Sequence, residues 1–360
     1  MAVHITEFNI VAYKGITNLS LKELNHINIL TGNNNTGKTS ILELLKTLKN
    51  PYSLANWLSV NRLGSIFDIE RYYKYFNNLF PENFPDSTIH YEYKDENGNH
   101  NVNVKKNTVK ELVSIEDVVR AYKIPVSALK RTSNLIDENN FESSTLNFKI
   151  QKDDDEIEVY SITNYQKSLK LSKTKDIINV RYISPVEHYS NINLKTVLKN
   201  NSLHDEMIEI LKMFDENIVD ILSVGSFNNT EYLIRTKNHT NALPLTFYGD
   251  GIKKVLLLVS AMMESKDGIL LLDEFETAIH TSAMDTIFSW LLNNAVKMNV
   301  QVFLTSHSKE AINRVLRCDD SLSEKISYYT LFNYDDKNLI RKLSCSEAIK
   351  LQDQGGVDIR

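Results

Sequence analysis

The feature that most constrains the fold of this chain is the segment Gly32–Thr39, whose sequence is GNNNTGKT. It follows a short apolar run, Ile27–Thr31, which predicts a buried strand. It leads into Lys38–Leu48, where apolar residues recur at helical spacing. The pattern G-x-x-x-x-G-K-[ST] between a strand and a helix is typical of a phosphate-binding loop. The sequence therefore predicts a protein that binds ATP.

The chemistry of such a loop gives its residues separate roles. Backbone N–H groups of the loop and of the following helix surround the phosphates, and the glycines allow the close approach. We expect Lys38 to neutralise the β- and γ-phosphates of ATP, and the hydroxyl of Thr39 to bind Mg²⁺. The other predicted nucleotide-binding residues of the loop are Gly32, Asn33, Asn34, Asn35, Thr36, Gly37 and Ser40.

A second motif is the apolar segment Ile269–Leu272, which is followed by the two acids Asp273 and Glu274. An aspartate at the carboxyl end of a strand beside a phosphate loop holds Mg²⁺ through water, so Asp273 is a predicted metal-binding and catalytic residue. Glu274 is the predicted general base, because a carboxylate within one water of the γ-phosphate can polarise the attacking water.

Two further loops stand next to predicted elements of the same core. His307 lies in a Thr-Ser-His-Ser turn after the apolar segment Val302–Leu304, and we expect it to contact the γ-phosphate as a third catalytic residue. Another loop directly precedes the apolar helix that begins at Ile252. Glycines at a helix N-terminus form an anion-binding site, which here would serve a second nucleotide. The residues of that loop are Gly249, Asp250 and Gly251.

Short apolar strands alternate with helices along much of the chain, which implies an α/β fold with a mostly parallel sheet and helices on both faces. We predict a nucleotide-binding core in two halves, residues 1–50 and 180–360, with an antiparallel β subdomain at the N-terminus. Residues 51–179 have a looser pattern and are interpreted as an α+β insertion. Its two predicted hairpins pair Tyr91–Tyr93 with Val102–Val104 and Leu146–Ile150 with Ile157–Ile162, and its predicted helices are Val109–Lys123 and Val126–Asp137.

Charge and hydropathy set bounds on partners and compartment. The formal net charge of −5 argues against a surface dominated by nucleic-acid contacts. Four lysines would fit DNA phosphates as a local patch, or form a solvated surface. They are Lys167, Lys170, Lys173 and Lys175. No apolar run approaches the roughly 18–20 residues that cross a bilayer, and the N-terminus lacks a secretion signal. We therefore expect a cytoplasmic protein with no membrane partner.

Taken in this order, the motifs resemble those of the ABC-type ATPases of the RecF/SMC/OLD branch, often catalogued as bacterial AAA-family ATPases. The resemblance covers about residues 1–50 and 180–310 and includes the opening Ala12–Ile16 and the segment from Leu270 to His280. It implies an ABC-ATPase-like P-loop core that dimerises, with two ATPs held between the phosphate loop of one subunit and the signature loop of the other.

One residue departs from the pattern of that branch. The usual serine of the signature loop is replaced by Gly249, which argues against fast ATP turnover. Ser184–Glu187 lies about where the Q-loop of the family would fall.

Compact members of this branch, without a coiled coil or a nuclease domain, resemble the ATPase halves of bacterial anti-phage and abortive-infection systems. The resemblance implies a sensor that works as a homodimer or a higher even oligomer and controls a separately encoded nuclease or toxin. DNA or a phage protein would be its trigger. Two alternatives stay open, namely a RecF-like ATPase that binds DNA ends and a nucleotide-gated scaffold with little turnover.

Overall fold

The structure is a computed structural model that describes residues 4–353 except for 61–72, 74–75, 82–87, 124, 128–139, 156–157, 165–174, 190–191, 227–228 and 336. The strands are β1 (Glu7–Tyr13), β2 (Ile16–Leu21), β3 (Ile27–Gly32), β4 (Thr88–Asp95), β5 (Gly98–Ser114), β6 (Asn140–Lys152), β7 (Glu158–Thr163), β8 (Val180–Ile183), β9 (Ile218–Ser226), β10 (Asn229–Thr236), β11 (Leu243–Pro244), β12 (Ile269–Leu272), β13 (Gln301–Thr305), β14 (Ile326–Tyr334) and β15 (Lys337–Ser344). The α-helices are α1 (Lys38–Lys46), α2 (Leu54–Val60), α3 (Ile115–Tyr122), α4 (Asn201–Leu211), α5 (Asp250–Glu264), α6 (Thr281–Lys297), α7 (Lys309–Leu316) and α8 (Cys345–Asp353).

The sheet that carries the phosphate loop has six strands in the order β15-β14-β3-β13-β12-β8. Five of them run parallel to one another, and β15 pairs antiparallel with β14 at one edge. Every residue of β12 and β13 is buried, as expected for parallel strands covered on both faces. The predicted α/β class and the mostly parallel sheet are confirmed.

Alternate residues of β12 enter two different cores, because successive side chains of a strand point to opposite faces. Leu270 and Leu272 pack in a core built with α4, α5, α6 and α7. Ile269 and Leu271 pack in a second core with α1, α2 and the antiparallel sheet described next. Within the described ranges, no helix combines the length and the apolar character that a bilayer crossing requires.

The antiparallel sheet has the strand order β2-β1-β4-β5-β6-β7. Both predicted hairpins are confirmed, since Tyr91 lies opposite Val102 and Leu146 lies opposite Ile162. Strand β4 pairs with β1, so the strands between residues 88 and 163 extend the sheet that begins at the N-terminus. The division into residues 1–50, 51–179 and 180–360 stays a prediction.

The predicted helix Val109–Lys123 is wrong in its first half. Strand β5 continues to Ser114, and α3 begins only at Ile115. Val109 lies opposite Thr145. Strand β6 supplies hydrogen-bond partners for the backbone of residues 109–114, and this pairing outweighs the helical spacing of their apolar side chains. The other predicted helix, Val126–Asp137, lies almost wholly outside the described residues.

Candidate nucleotide-binding site

Two glycines shape the loop between β3 and α1. Gly32 has φ 139° and Gly37, which caps α1, has φ 96°. A Cβ on Gly32 would lie 2.2 Å from the carbonyl oxygen of Leu331, and one on Gly37 would lie 2.7 Å from Cδ1 of Ile16. Both the backbone angles and the available space therefore require glycine at these positions. The loop between them exposes Asn33, Asn34 and Asn35, and Asn35 has φ 62°.

Lys38 folds back over this loop. Its Nζ donates hydrogen bonds to the carbonyl oxygens of Gly32 at 2.7 Å and Asn33 at 2.8 Å. The hydroxyl of Thr36 donates to the same Asn33 carbonyl at 2.9 Å. Burial lowers the pKa of Lys38, while the charge of Asp273 opposes that shift. The ammonium group thus stands inside the loop at the start of α1, where phosphate oxygens would replace the two carbonyl acceptors.

Asp273 is the point at which the elements of the site meet. Its carboxylate is buried and accepts a hydrogen bond from Thr305 to Oδ1 at 2.6 Å. Tyr182 donates to Oδ2 at 3.0 Å, and the hydroxyl of Thr39 lies 3.3 Å from each oxygen. A carboxylate beside a hydroxyl at the edge of a phosphate loop is a set of oxygen donors that fits Mg²⁺. Tyr182, at the end of β8, was missed in the sequence because no local motif marks it.

The loops after β12 and β13 are joined by a second carboxylate, that of Glu276. Its Oε1 accepts hydrogen bonds from the hydroxyl of Ser306 at 2.8 Å and from the backbone N–H groups of His307 at 3.2 Å and Ser308 at 3.3 Å. Sequence reasoning missed this residue, although it follows Glu274 by two positions. The backbone of the half-buried His307 is thus held by Glu276, which lies in the loop after the neighbouring strand β12.

Glu274 stands between these two carboxylates with a positive φ of 45°. That conformation costs energy for a residue with a side chain, and it turns the chain sharply at the end of β12. The backbone N–H of Glu274 donates to the hydroxyl of Thr305 at 2.8 Å, which fixes the turn. The residue is half-buried.

The predicted signature loop lies at the start of α5. Gly249 caps that helix, and a Cβ there would meet no atom within 4 Å. Asp250 accepts hydrogen bonds from the hydroxyl of Tyr189 at 2.8 Å and from Nζ of Lys253 at 3.3 Å. The bond from Tyr189 lowers the pKa of Asp250. A Cβ on Gly251 would lie 3.0 Å from Cε1 of Phe214. Of the two glycines, Gly249 is therefore the one that has room for a side chain within the same subunit.

The segment proposed for the Q-loop connects the site to that helix. The Glu187 carboxylate accepts from the backbone N–H of Ser184 at 3.2 Å and from the guanidinium of Arg181. The short 3-10 helix Glu187–Tyr189 follows, and its Tyr189 reaches Asp250. Of the predicted lysine patch, Lys167, Lys170 and Lys173 lie outside the described residues, and Lys175 is exposed.

A glycine loop between a parallel strand and a helix, bonded through Thr39 to an acid that follows another parallel strand of the same sheet, defines a P-loop nucleotide-binding protein. Residues 27–313 match the family described as "AAA domain, putative AbiEii toxin, Type IV TA system", and the chain belongs to that family. The predicted resemblance to the bacterial AAA-family ATPases is confirmed by this match.

Two relatives are similar to this chain in sequence. An ATP/GTP phosphatase from Helicobacter pylori is 26% identical over 343 residues, covering 86% of each chain. An uncharacterized protein from Methanocaldococcus jannaschii is 30% identical over 115 residues, which span 31% of this chain and 98% of that protein.

Similar solved structures include two SMC heads. The SMC head bound to the C-winged helix domain of ScpA matches 96% of this chain and 99% of its own, with a TM-score of 0.48 and 12% identity. The SMC head domain from Thermotoga maritima matches 95% of this chain and 99% of its own, with a TM-score of 0.44 and 12% identity.

Proposed function

We propose that this protein is a slow, Mg²⁺-dependent ATPase that acts as the sensor of a bacterial anti-phage system. The observation that carries the ATPase part is the junction at Asp273, where the phosphate loop contributes Thr39 and the neighbouring strand contributes Thr305. A relative over most of the chain is named an ATP/GTP phosphatase, which supports hydrolysis as the reaction.

Each residue of the site has a role in this proposal. Lys38 and the N–H groups of the loop bind the phosphates, and Thr39 with Asp273 holds Mg²⁺, whose charge would offset the charge that develops on the transferred phosphoryl group. Glu274 orients and deprotonates the attacking water. His307 contacts the γ-phosphate from the next loop, which Glu276 holds in place.

The slow rate is inferred from the start of α5. In a closed dimer, Gly249, Asp250 and Gly251 would face the γ-phosphate of the partner's ATP. The helix N-terminus attracts that anion, but the Asp250 carboxylate opposes it, and no serine hydroxyl stands at position 249. Dimerisation on ATP would therefore be weaker and hydrolysis slower than with the usual signature serine.

The defence role rests on the family, whose description names an AbiEii toxin and a type IV toxin–antitoxin system. In this role, closure of a homodimer on ATP would hold or release a separately encoded nuclease or toxin. DNA or a phage protein would trigger the change. The net charge of −5 supports a protein partner over a DNA surface as the main contact.

The experiment is a phosphate-release assay on the purified protein with and without Mg²⁺ and duplex DNA. We expect a slow, Mg²⁺-dependent rate that does not require DNA ends. A large stimulation by DNA ends would instead support a RecF-like repair ATPase. Bound ATP without any phosphate release would support the nucleotide-gated scaffold.

A further inference from the structure

Tyr182 is an aromatic residue at the end of β8 whose hydroxyl reaches the predicted metal-binding acid. In the parallel pairing of β8 with β12 it lies beside Leu271, which precedes Asp273 by two positions. Side chains two positions apart on a strand share a face, and Ile269 and Leu271 face the core that includes α1. The ring of Tyr182 packs against that same core. Tyr182 and Asp273 therefore meet on the side of the sheet where α1 carries Thr39.

The carboxylate of Asp273 receives a hydrogen-bond donor from a different strand on each of its oxygens. Thr305 donates to Oδ1 at 2.6 Å, and Tyr182 donates to Oδ2 at 3.0 Å. The hydroxyl of Thr39 lies 3.3 Å from both oxygens, so it faces the carboxylate symmetrically. Because a carboxylate oxygen has more than one lone pair, a donor on each oxygen still allows both to serve a cation on the side of Thr39. The two donors thus aim the carboxylate at the position where Thr39 would share a metal ion with it.

The ring of Tyr182 is held by contacts that do not use its hydroxyl. Nζ of Lys46, the last residue of α1, lies over the ring at 5.2 Å from its centre, and a cation in this position is attracted by the quadrupole of the ring. Lys46 is itself fixed, because its Nζ donates to the carbonyl oxygen of Ser59 in α2 at 2.6 Å. The backbone of β8 also holds Asp273, whose N–H donates to the carbonyl oxygen of Ile183 at 3.0 Å. An anchored ring on an anchored strand therefore presents the hydroxyl of Tyr182 to Asp273.

We propose that Tyr182 is a positioning residue that sets the metal preference of the site, because its hydroxyl orients the Asp273 carboxylate as Mg²⁺ requires. This inference rests on the Mg²⁺ site of the proposed function and deepens it. Mg²⁺ demands nearly octahedral coordination, whereas Ca²⁺ accepts about six to eight oxygens in flexible geometries. A carboxylate that loses the donor on Oδ2 can rotate about its remaining bond to Thr305. That freedom should weaken the binding of Mg²⁺ more than the binding of Ca²⁺.

The test measures how much Mg²⁺ and Ca²⁺ each increase the affinity of the full-length protein for a non-hydrolysable ATP analogue. Titration calorimetry gives that affinity in EDTA, in saturating MgCl₂ and in saturating CaCl₂, and turnover does not contribute. The variant is Tyr182→Phe, which removes the hydroxyl and keeps the ring over which Lys46 lies.

In Tyr182→Phe the gain in affinity from Mg²⁺ should fall about 10-fold or more, because groups that orient metal ligands typically contribute about 10- to 100-fold to metal affinity. The gain from Ca²⁺ should fall less, and the affinity in EDTA should equal that of wild type. Tyr329→Phe is the matched control, since the hydroxyl of the buried Tyr329 donates to the carbonyl oxygens of Lys22 and Glu23. It should lower Tm about as much as Tyr182→Phe does and leave both gains unchanged.

A gain from Mg²⁺ in Tyr182→Phe that equals the wild-type gain would overturn the inference, as would equal losses of the gains from Mg²⁺ and Ca²⁺. A loss of the same size in Tyr329→Phe would also overturn it, because the effect would then follow from weaker folding. No gain from Mg²⁺ in the wild type would overturn the proposed metal site together with this inference. Absence of phosphate release by a wild type whose binding depends on Mg²⁺ would overturn the proposed ATPase activity alone.

Discussion

The hydroxyl of Thr39 lies 3.3 Å from both carboxylate oxygens of Asp273, although 234 residues separate them in the chain. The contact joins the first turn of α1, which follows β3, to the acid directly after β12, and β13 lies between those two strands in the parallel sheet. Because Thr305 and Tyr182 also donate to Asp273, the carboxylate is held in one orientation before any ligand binds.

The Thr39 contact leads to a prediction about metal dependence. Thr39→Val keeps the shape of the side chain but removes the oxygen that would bind Mg²⁺. We expect the ATP affinity of this variant to be nearly independent of Mg²⁺, whereas Thr39→Ser should keep the wild-type dependence. Titration calorimetry with and without Mg²⁺ measures the difference. An unchanged Mg²⁺ dependence in Thr39→Val would exclude Thr39 as a metal ligand.

Lys38→Ala tests the phosphate contact. A hydrogen bond to a charged group contributes about 1.5–3 kcal/mol, so ATP affinity should fall about 10- to 100-fold. Because Lys38 also bonds to the carbonyls of Gly32 and Asn33, a small loss of Tm is expected as well. Lys49→Ala, at a half-exposed position three residues beyond α1, is the control. Equal ATP affinity in the two variants would remove Lys38 from the site.

The signature loop is best tested at Gly249 and not at Gly251. A side chain at Gly251 would press on Phe214 of the same subunit, whereas Gly249 has open space and an ordinary φ of −65°. Gly249→Glu should block the ATP-dependent dimer through size and charge and leave ATP affinity unchanged. Gly249→Ser introduces the hydroxyl of the usual signature serine and should strengthen the dimer.

Light scattering with and without ATP, in a Glu274→Gln background that retains the nucleotide, measures this effect. A monomer under every condition would defeat the dimer model. A dimer that Gly249→Glu does not perturb would show that the partner is contacted elsewhere.

The buried His188 predicts how stability depends on pH. It is 3% exposed, its two ring nitrogens have no hydrogen-bond partner among the described residues, and burial followed by the charge of Lys254 lowers its pKa. The unfolded chain therefore takes up a proton at His188 near pH 6.5, whereas the folded chain takes it up only at a lower pH. The free energy of unfolding therefore falls as the pH drops through that value. His26 and His90 have lowered pKa values for the same reason.

Urea unfolding at pH 7.5, 6.5 and 5.5 measures this dependence. His188→Phe keeps an aromatic ring against Tyr189 and should flatten the slope below pH 6.5. An identical slope in wild type and His188→Phe would show that His188 takes up its proton without unfolding.

The sequence predicted those parts of the site that are contiguous motifs. Gly32–Ser40 and Asp273 each follow an apolar strand, and parallel strands place such ends at one edge of a sheet. Tyr182 and Glu276 could not be found in this way, because their importance comes from contacts made across the fold. Residues 109–114 likewise form a strand because they pair with β6, which is distant in the sequence, although their apolar residues have helical spacing.

The central claim is that Glu274 deprotonates the water that attacks ATP, and Glu274→Gln tests it most directly. The glutamine keeps the size of the side chain and the backbone bond to Thr305 but lacks the base. In a single-turnover experiment with bound ATP and Mg²⁺, phosphate release should fall about 100-fold or more while ATP stays bound with wild-type affinity. Glu310→Gln, at an exposed position on α7, should release phosphate at the wild-type rate. Phosphate release at the wild-type rate in Glu274→Gln would contradict the account.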